Sequence, residues 1–337
     1  MSPVIAAVHF KDFKALRSAA VQLGPFNLLL GPSGSGKTSL IQSLLQLRTL
    51  SALPVTDAHE LEDQISKGPQ ISFDFNPPFN DVRVTLGCTA DDVVCNFLTV
   101  DHAPGIAGAE KWAALRSRLE TIRAFAFDHS AMAVPAKAKE GSELTANGST
   151  LAAVLAARRR HIPSQLNHME AEFCRIMPEF SGLEFRAVGD EHVELLARLA
   201  GGELLPAQNL SQGTLHLLAI LTLAHAPEPP GVVCIEEVDR GVHPRLLREV
   251  RDALYRLSYP LPESGGRPPD QVLATTHSPY LLDLFRDHPE EIILANKQGN
   301  AATFERLSDR ADLLELMKES NLGDLWYSGI LGAVPRE

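Results

Sequence analysis

Residues 26–38 read Phe26-Asn27-Leu28-Leu29-Leu30-Gly31-Pro32-Ser33-Gly34-Ser35-Gly36-Lys37-Thr38, and this stretch decides the fold. The run Phe26–Leu30 is apolar almost throughout, which predicts a strand buried on both faces at the centre of a sheet. Six turn-forming residues follow. Then comes a predicted helix, Thr38–Leu50, with Leu40, Ile41, Leu44, Leu45 and Leu47 on one side. Gly31 to Thr38 satisfies GxxxxGK[ST] between a strand and a helix, the context this chemistry requires. Glycines let the backbone curl so that successive N–H groups point inward, and the helix adds its positive N-terminal dipole. The candidate phosphate-binding set is therefore Ser33, Gly34, Ser35, Gly36, Lys37, Thr38 and Ser39, with Lys37 reaching the β/γ-phosphates of ATP and the Thr38 hydroxyl ligating Mg²⁺.

A second apolar run, Gly231-Val-Val-Cys-Ile235, ends in Glu236-Glu237. Two acids at a strand end suit nucleotide hydrolysis: Glu236 organises Mg²⁺ and Glu237 polarises the attacking water as general base. As a buried pair of like charges they would be pushed toward different protonation states. The alternative reading is a solvated strand terminus.

Outward from these motifs, β-like runs open the chain (Val4–Phe10, Ala19–Leu23), and three alternating stretches at Gln70–Phe75, Val82–Leu86 and Val93–Val100 predict an antiparallel β subdomain. Helical (Trp112–Glu120) and strand-like (Thr121–Phe127) segments precede a helical pair, Ser149–His161 and Gln165–Met177, separated at Pro163. Strands are expected at Leu183–Val188 and Val193–Leu199. The last third alternates helix and strand: Gln212–Ala226, Gly231–Ile235, Pro244–Ser258, Gln271–Thr275, Pro279–Arg286. That pattern argues for a parallel α/β sheet. The expected organisation is an N-terminal lobe (1–100), an inserted helical and β region (101–205) and a C-terminal lobe (206–337).

The 337 residues give a prior of roughly two domains. With 31 Lys+Arg against 42 Asp+Glu, the net charge of −11 excludes a uniformly basic nucleic-acid coat. The dense basic cluster Arg158-Arg159-Arg160-His161 reads either as a helix end favoured by its dipole or as a phosphate contact. Cys88, Cys95, Cys174 and Cys234 form no CxxC pair, so neither a zinc ribbon nor a disulfide framework is expected, and the chain reads as reduced and cytoplasmic. The longest apolar run, Leu217–Ala224, is far short of the roughly 20 residues a membrane span needs.

Three further marks lie in order around the acids: Leu210-Ser211-Gln212-Gly213-Thr214 opening an apolar helix, Asp239-Arg-Gly-Val-His243-Pro244, and Thr275-Thr276-His277-Ser278-Pro279. With the opening Phe10-Lys-Asp-Phe13-Lys14 and the phosphate loop, the chain resembles the ABC-type ATPase heads of the RecF, SMC and OLD group, especially its compact AAA-family members. The resemblance implies an α/β P-loop NTPase fold with a mixed central sheet, an antiparallel β subdomain and a helical insertion. It implies that Ser211, Gln212 and Gly213 form a signature loop for the nucleotide of an opposing protomer, that His277 is a switch histidine at the γ-phosphate, and that Asp239 lies in the loop joining two active sites. Read without the resemblance, Ser211 is a helix N-cap and His277 a structural histidine.

Two departures from the family pattern stand out. The family commonly has a Gln after a strand in the middle lobe; here Phe125-Ala-Phe127-Asp128-His129 occupies the corresponding place and holds no Gln. The signature reads Ser-Gln-Gly-Thr rather than the Ser-Gly-Gly of transporter ATPases. The insertion is too short for an extended coiled coil, and no nuclease arrangement follows His277. The function expected from these marks is an ATPase switch: a homodimer around two ATP–Mg²⁺ that controls a separate effector protein, with DNA as a candidate partner, in DNA repair or anti-phage defence. An ATP-gated scaffold without turnover is the alternative, and a transporter subunit the third.

Overall fold

A run such as Phe26–Leu30 must be covered on both faces, and all five of its residues are buried. Its one polar member, Asn27, is satisfied within the sheet: its amide donates to the carbonyls of Gly24 (2.9 Å) and Val272 (3.1 Å). The structure is a computed structural model and describes residues 3–53, 68–88, 94–140, 143–227, 230–260, 269–299 and 301–332. The chain divides into two compact units, Met1–Ala124 with Pro230–Ile235 and Leu257–Glu337, and Phe125–Pro229 with Glu236–Arg256.

In chain order the elements begin with β1 (Ile5–Phe13), β2 (Leu16–Gln22), β3 (Phe26–Leu30), α1 (Lys37–Ser51), β4 (Gln70–Phe75), β5 (Arg83–Cys88), β6 (Cys95–Asp101), α2 (Ile106–Leu119) and β7 (Arg123–Phe125). There follow α3 (His129–Met132), β8 (Ala136–Lys137), α4 (Leu151–His161), α5 (Pro163–Ile176), β9 (Phe180–Val188), β10 (His192–Leu199), β11 (Leu204–Pro206) and α6 (Gln212–Ala224). The last third holds β12 (Val232–Ile235), α7 (Leu247–Ser258), β13 (Gln271–Thr276), α8 (Pro279–Asp283), β14 (Ile292–Gln298), β15 (Ala301–Arg306), α9 (Leu313–Glu319) and α10 (Leu322–Tyr327).

In the first unit β3 lies between β13 and β14 in a sheet ordered β15-β14-β3-β13-β12-β7. It runs parallel to both neighbours, with Leu30 opposite Thr276 on one side and Leu294 on the other. The parallel sheet expected from the helix–strand alternation is thus present, closed at one edge by the antiparallel β14–β15 pair. A second, antiparallel sheet runs β2-β1-β4-β5-β6, so the opening strands join the three predicted between residues 69 and 100. Phe13, Leu16, Leu40, Leu44, Phe73 and Leu86 are all fully buried in one core beneath α1.

One expectation about cysteine is overturned. Cys88 and Cys95 are register partners on β5 and β6 and form a disulfide, while Cys174 and Cys234 are not disulfide-bonded. Sequence spacing is silent on this pair because a cross-strand register, rather than a short motif, brings the two sulfurs together.

In the second unit β9 and β10 form an antiparallel ribbon, with β8 and β11 pairing the two ends of the other edge of β10. Helix α6 is buried all round from Gly213 to Ala224, polar residues included. Its carbonyl end needs hydrogen-bond donors, and Arg158 supplies one: Nη1 of this α4 residue donates to the carbonyls of Thr222 (2.8 Å) and His225 (3.3 Å). Burial pulls the Arg158 pKa down to about 10, so it is still charged at neutral pH. Arg159 binds the Glu170 carboxylate at 2.7 Å and lies over the Phe185 ring. The basic run is therefore largely spent inside the fold, and its first arginine serves the dipole of a neighbouring helix rather than of its own.

His216, also on α6, is buried beside the edge of the Phe127 ring, and its Nε2 has no hydrogen-bond partner. Burial lowers its pKa to about 4, against a smaller opposing effect of a hydrogen bond to the Val238 backbone. The folded-state value lies below the ordinary 6.5 of the unfolded chain, so the unfolded state takes the proton first. The stabilisation is complete above pH 6.5 and is lost as pH falls toward 4.

Two measurements follow. Arg158→Ala should lower unfolding free energy by about 2–3 kcal/mol in denaturant titration, because it uncaps α6 and removes charged hydrogen bonds. Wild type should lose about 2 kcal/mol between pH 7.5 and 5 through His216, and His216→Phe should show a correspondingly flatter profile.

Candidate functional site

Beyond Leu30 the chain enters the loop 31–36, and two of its glycines, Gly34 (φ 76°) and Gly36 (φ 96°), occupy the left-handed region. Gly31 is required for a different reason. A Cβ there would stand 2.2 Å from the carbonyl oxygen of Ala295 on β14 and 2.6 Å from the Ser35 hydroxyl. Ser35 is fully buried, and its Oγ has no hydrogen-bond partner. Lys37 is buried too, its Nζ donating to the carbonyls of Gly31 (2.6 Å) and Pro32 (3.0 Å). Ser33 and Thr38 are exposed and Ser39 is half-buried at the first turn of α1. A left-handed glycine loop at a helix N-terminus, holding a buried orphan hydroxyl and a lysine, fits a polyphosphate.

The neighbouring strand β13 ends level with the start of this loop. Register sets Thr276 beside Leu30, so His277 leaves β13 next to the start of the loop and is exposed. Ser278 then caps α8, its Oγ accepting from the Leu281 N–H at 3.2 Å. Ile235 at the end of β12 stands opposite Ala274.

The acids that follow Ile235 belong to the second unit. The Glu236 N–H donates to the Phe125 carbonyl at 2.8 Å, and its side chain is half-buried. Glu237 has φ 51°, a left-handed conformation that a non-glycine residue adopts at a cost of about 1 kcal/mol. Its carboxylate lies 3.7 Å from Arg240 Nε, and both side chains are half-exposed. The expectation of a buried acid pair is thus corrected: the turn at Glu237, closed by the Arg240 N–H to the Glu237 carbonyl, rotates the second carboxylate outward.

Ser211 is the N-cap of α6, its Oγ 3.1 Å from the Thr214 N–H and 2.7 Å from the Thr214 hydroxyl. Gly213 presses on the loop beyond the acids, where a Cβ would meet the Gly241 carbonyl oxygen at 2.4 Å; Gly241 (φ 70°) in turn abuts the Gln212 side chain. The Asp239 carbonyl accepts from the Val242 N–H at 3.0 Å in the same loop. A cavity of about 240 Å³ is bounded by Ser211, Gly213, Thr214, Gly241, His243 and Arg245. In the segment 125–129, Asp128 caps α3 through the Ala131 N–H (2.8 Å), and His129 Nε2 meets the Leu210 carbonyl at 3.0 Å.

The contacts of His129 and His216 had no sequence signal, since nothing local places either beside α6 or the acidic loop. The β14–β15 hairpin did: Ile292–Ala295 is an apolar run, and the Gly299-Asn300 pair is a turn signal between register partners Gln298 and Ala301.

The family described as "AAA domain, putative AbiEii toxin, Type IV TA system" matches residues 138–283. No curated protein matches the chain significantly. Among solved structures, an Smc head bound to the C-terminal winged-helix domain of ScpA is 15% identical with a TM-score of 0.59, covering 94% of this chain and 100% of that one. An Smc head with an extended coiled coil, bound to the C-terminal domain of ScpA and derived from Pyrococcus furiosus, is 12% identical with a TM-score of 0.52 over 94% and 100%. The SMC head domain from Thermotoga maritima is 14% identical with a TM-score of 0.50 over 90% and 98%. With the phosphate loop at the C-terminal end of the central parallel strand, the fold is the P-loop NTPase fold of the SMC heads, and residues 138–283 carry the AAA-domain match.

Proposed function

We propose that this protein binds ATP–Mg²⁺ on the loop 31–39 and hydrolyses it as a molecular switch. The observation that carries the reading is Ser35: a fully buried hydroxyl without a partner, inside a glycine loop at the head of α1. A buried polar group of this kind costs free energy unless something bonds it, and a phosphate oxygen is a strong acceptor. Lys37 donates to two neutral carbonyls of the loop, and a phosphate would offer it a charged acceptor. Thr38 and Glu236 would hold the metal, which when bound neutralises phosphate charge and acts as Lewis acid.

Glu237 is the proposed general base. Its half-exposed side chain, 3.7 Å from Arg240 Nε, leaves the carboxylate accessible to a water. His277 is the proposed γ-phosphate sensor, supported by its level exit from β13 beside the loop. For Ser211, Gln212 and Gly213 we propose contact with the nucleotide of an opposing protomer, supported by an α6 N-terminus that borders a cavity. The oriented dipole and backbone donors would act there, since the Ser211 hydroxyl already caps its own helix.

The switch reading extends to a homodimer that opens on hydrolysis and controls a separate effector protein, with DNA repair or anti-phage defence as its setting. The family description mentions a toxin–antitoxin system, and two of the similar SMC heads are bound to ScpA. A role as a membrane transporter subunit is the least favoured reading, because the signature reads Ser211-Gln212-Gly213-Thr214 rather than Ser-Gly-Gly and a long inserted region separates it from the phosphate loop. DNA binding through the run 158–161 is not proposed, because Arg158 and Arg159 are committed inside the fold.

Two variants test the assignment. Lys37→Ala should weaken ATP binding about 100-fold in calorimetry, through loss of a charged contact to phosphate. Glu237→Gln should retain ATP binding, slow hydrolysis about 100-fold or more, and accumulate as a dimer in light scattering. Full turnover by Glu237→Gln would sink the base assignment, and ATP binding without turnover in wild type, with or without DNA, would favour the scaffold reading.

A further inference from the structure

The β14–β15 hairpin packs against the phosphate loop along its length. Ala295 on β14 places its carbonyl oxygen where a Gly31 side chain would begin. Ala302 on β15 lies against the far end of the loop, its Cβ 3.5 Å from where a Cβ on Gly36 would stand. Ala302 is the register partner of Lys297, and cross-strand partners project to the same face of a sheet. Lys297 follows this rule: its Nζ lies 3.8 Å from the position of a Cβ on Gly34. Register ends the β14–β3 pairing at Leu294 opposite Leu30, so Lys297 is carried past the end of β3, still paired to β15, and alongside the loop.

The cation is not used elsewhere. Lys297 is exposed and has neither an ion-pair nor a hydrogen-bond partner among the described residues. Nothing in the fold requires a charge there, since the strand is anchored by buried Ile292, Ile293, Leu294 and Ala295. The loop already contains Lys37, and a second ammonium close to it raises electrostatic free energy unless a polyanion lies between or beside them. A flexible four-carbon stem ending in a compact point charge suits a phosphate whose position varies.

We propose that Lys297 is a second phosphate-binding cation, acting from the Gly34 side of the loop on the terminal phosphate of a bound nucleoside triphosphate. The inference rests on the nucleotide reading above and goes further by assigning the discrimination between tri- and diphosphate. The N-terminal turn of α1, with Thr38 and Ser39, begins beyond Gly36 and offers its dipole to the inner phosphates. The Lys297 ammonium reaches the middle of the loop from a separate strand, and so adds most for a phosphate that this turn does not already hold.

The test is calorimetric titration of wild type, Lys297→Ala and Lys297→Gln with Mg–ATP and Mg–ADP, with thermal unfolding midpoints as a folding control. Both variants should bind Mg–ATP about tenfold more weakly while Mg–ADP binding changes less than about twofold, the loss of one charged contact. Lys297→Arg should restore most of the ATP affinity. Equal affinities in wild type and variants overturn the assignment while leaving the nucleotide site intact. So does a parallel loss for both nucleotides, which marks a structural role. Wild type that binds neither nucleotide overturns this proposal together with the reading it rests on.

Discussion

A carbonyl oxygen of β14 stands where any side chain at position 31 would have to begin, and much of the first unit follows from that exclusion. Close packing there forces Gly31 and lets the loop fold back toward its own strand. It also brings the Ser35 hydroxyl inward and fixes where α1 starts. β3 is flanked by parallel strands on both sides: β13 ends level with it, so His277 leaves beside the loop, while β14 runs on past it to Gln298. The sheet thus acts as a jig for a loop that has no side chain to hold it in place at Gly31, Gly34 or Gly36.

Much of this was legible beforehand, for identifiable reasons. Phe26–Leu30 could only be a central strand, since a five-residue apolar run cannot rest on a surface, and its observed bounds coincide with the expected ones. Gln70–Phe75 alternates strictly and also falls where expected. Pro163 stands at the first position of α5, where its fixed φ suits a helix start. The hairpin 292–306 carries only a weak local signal, a short apolar run and one Gly299-Asn300 pair, and no chemical motif marks it. Arg158 shows a deeper limit: a basic run at a helix end favours its own dipole locally, yet here the first arginine reaches the C-terminus of another helix, which no local pattern encodes.

The loop of the acid pair combines strain with confinement. Glu237 and Gly241 both adopt positive φ within five residues, and a hydrogen bond from Arg240 N–H to the Glu237 carbonyl closes the turn between them. Strain of this kind persists only where the surroundings over-determine it. Here the surroundings are α6 itself: Gln212 and Gly213 against Gly241, and the His216 ring against the Val238 backbone.

That interlock has a mechanical corollary. With glycine-tight contact at one end and a buried imidazole a turn further along, residues 238–241 and the first two turns of α6 have almost no slack between them. They must translate together, as a bolt and its plate do. A push delivered to either is felt by the other without delay, and a substitution that adds even one methyl group at position 213 would convert a shared motion into two separate ones.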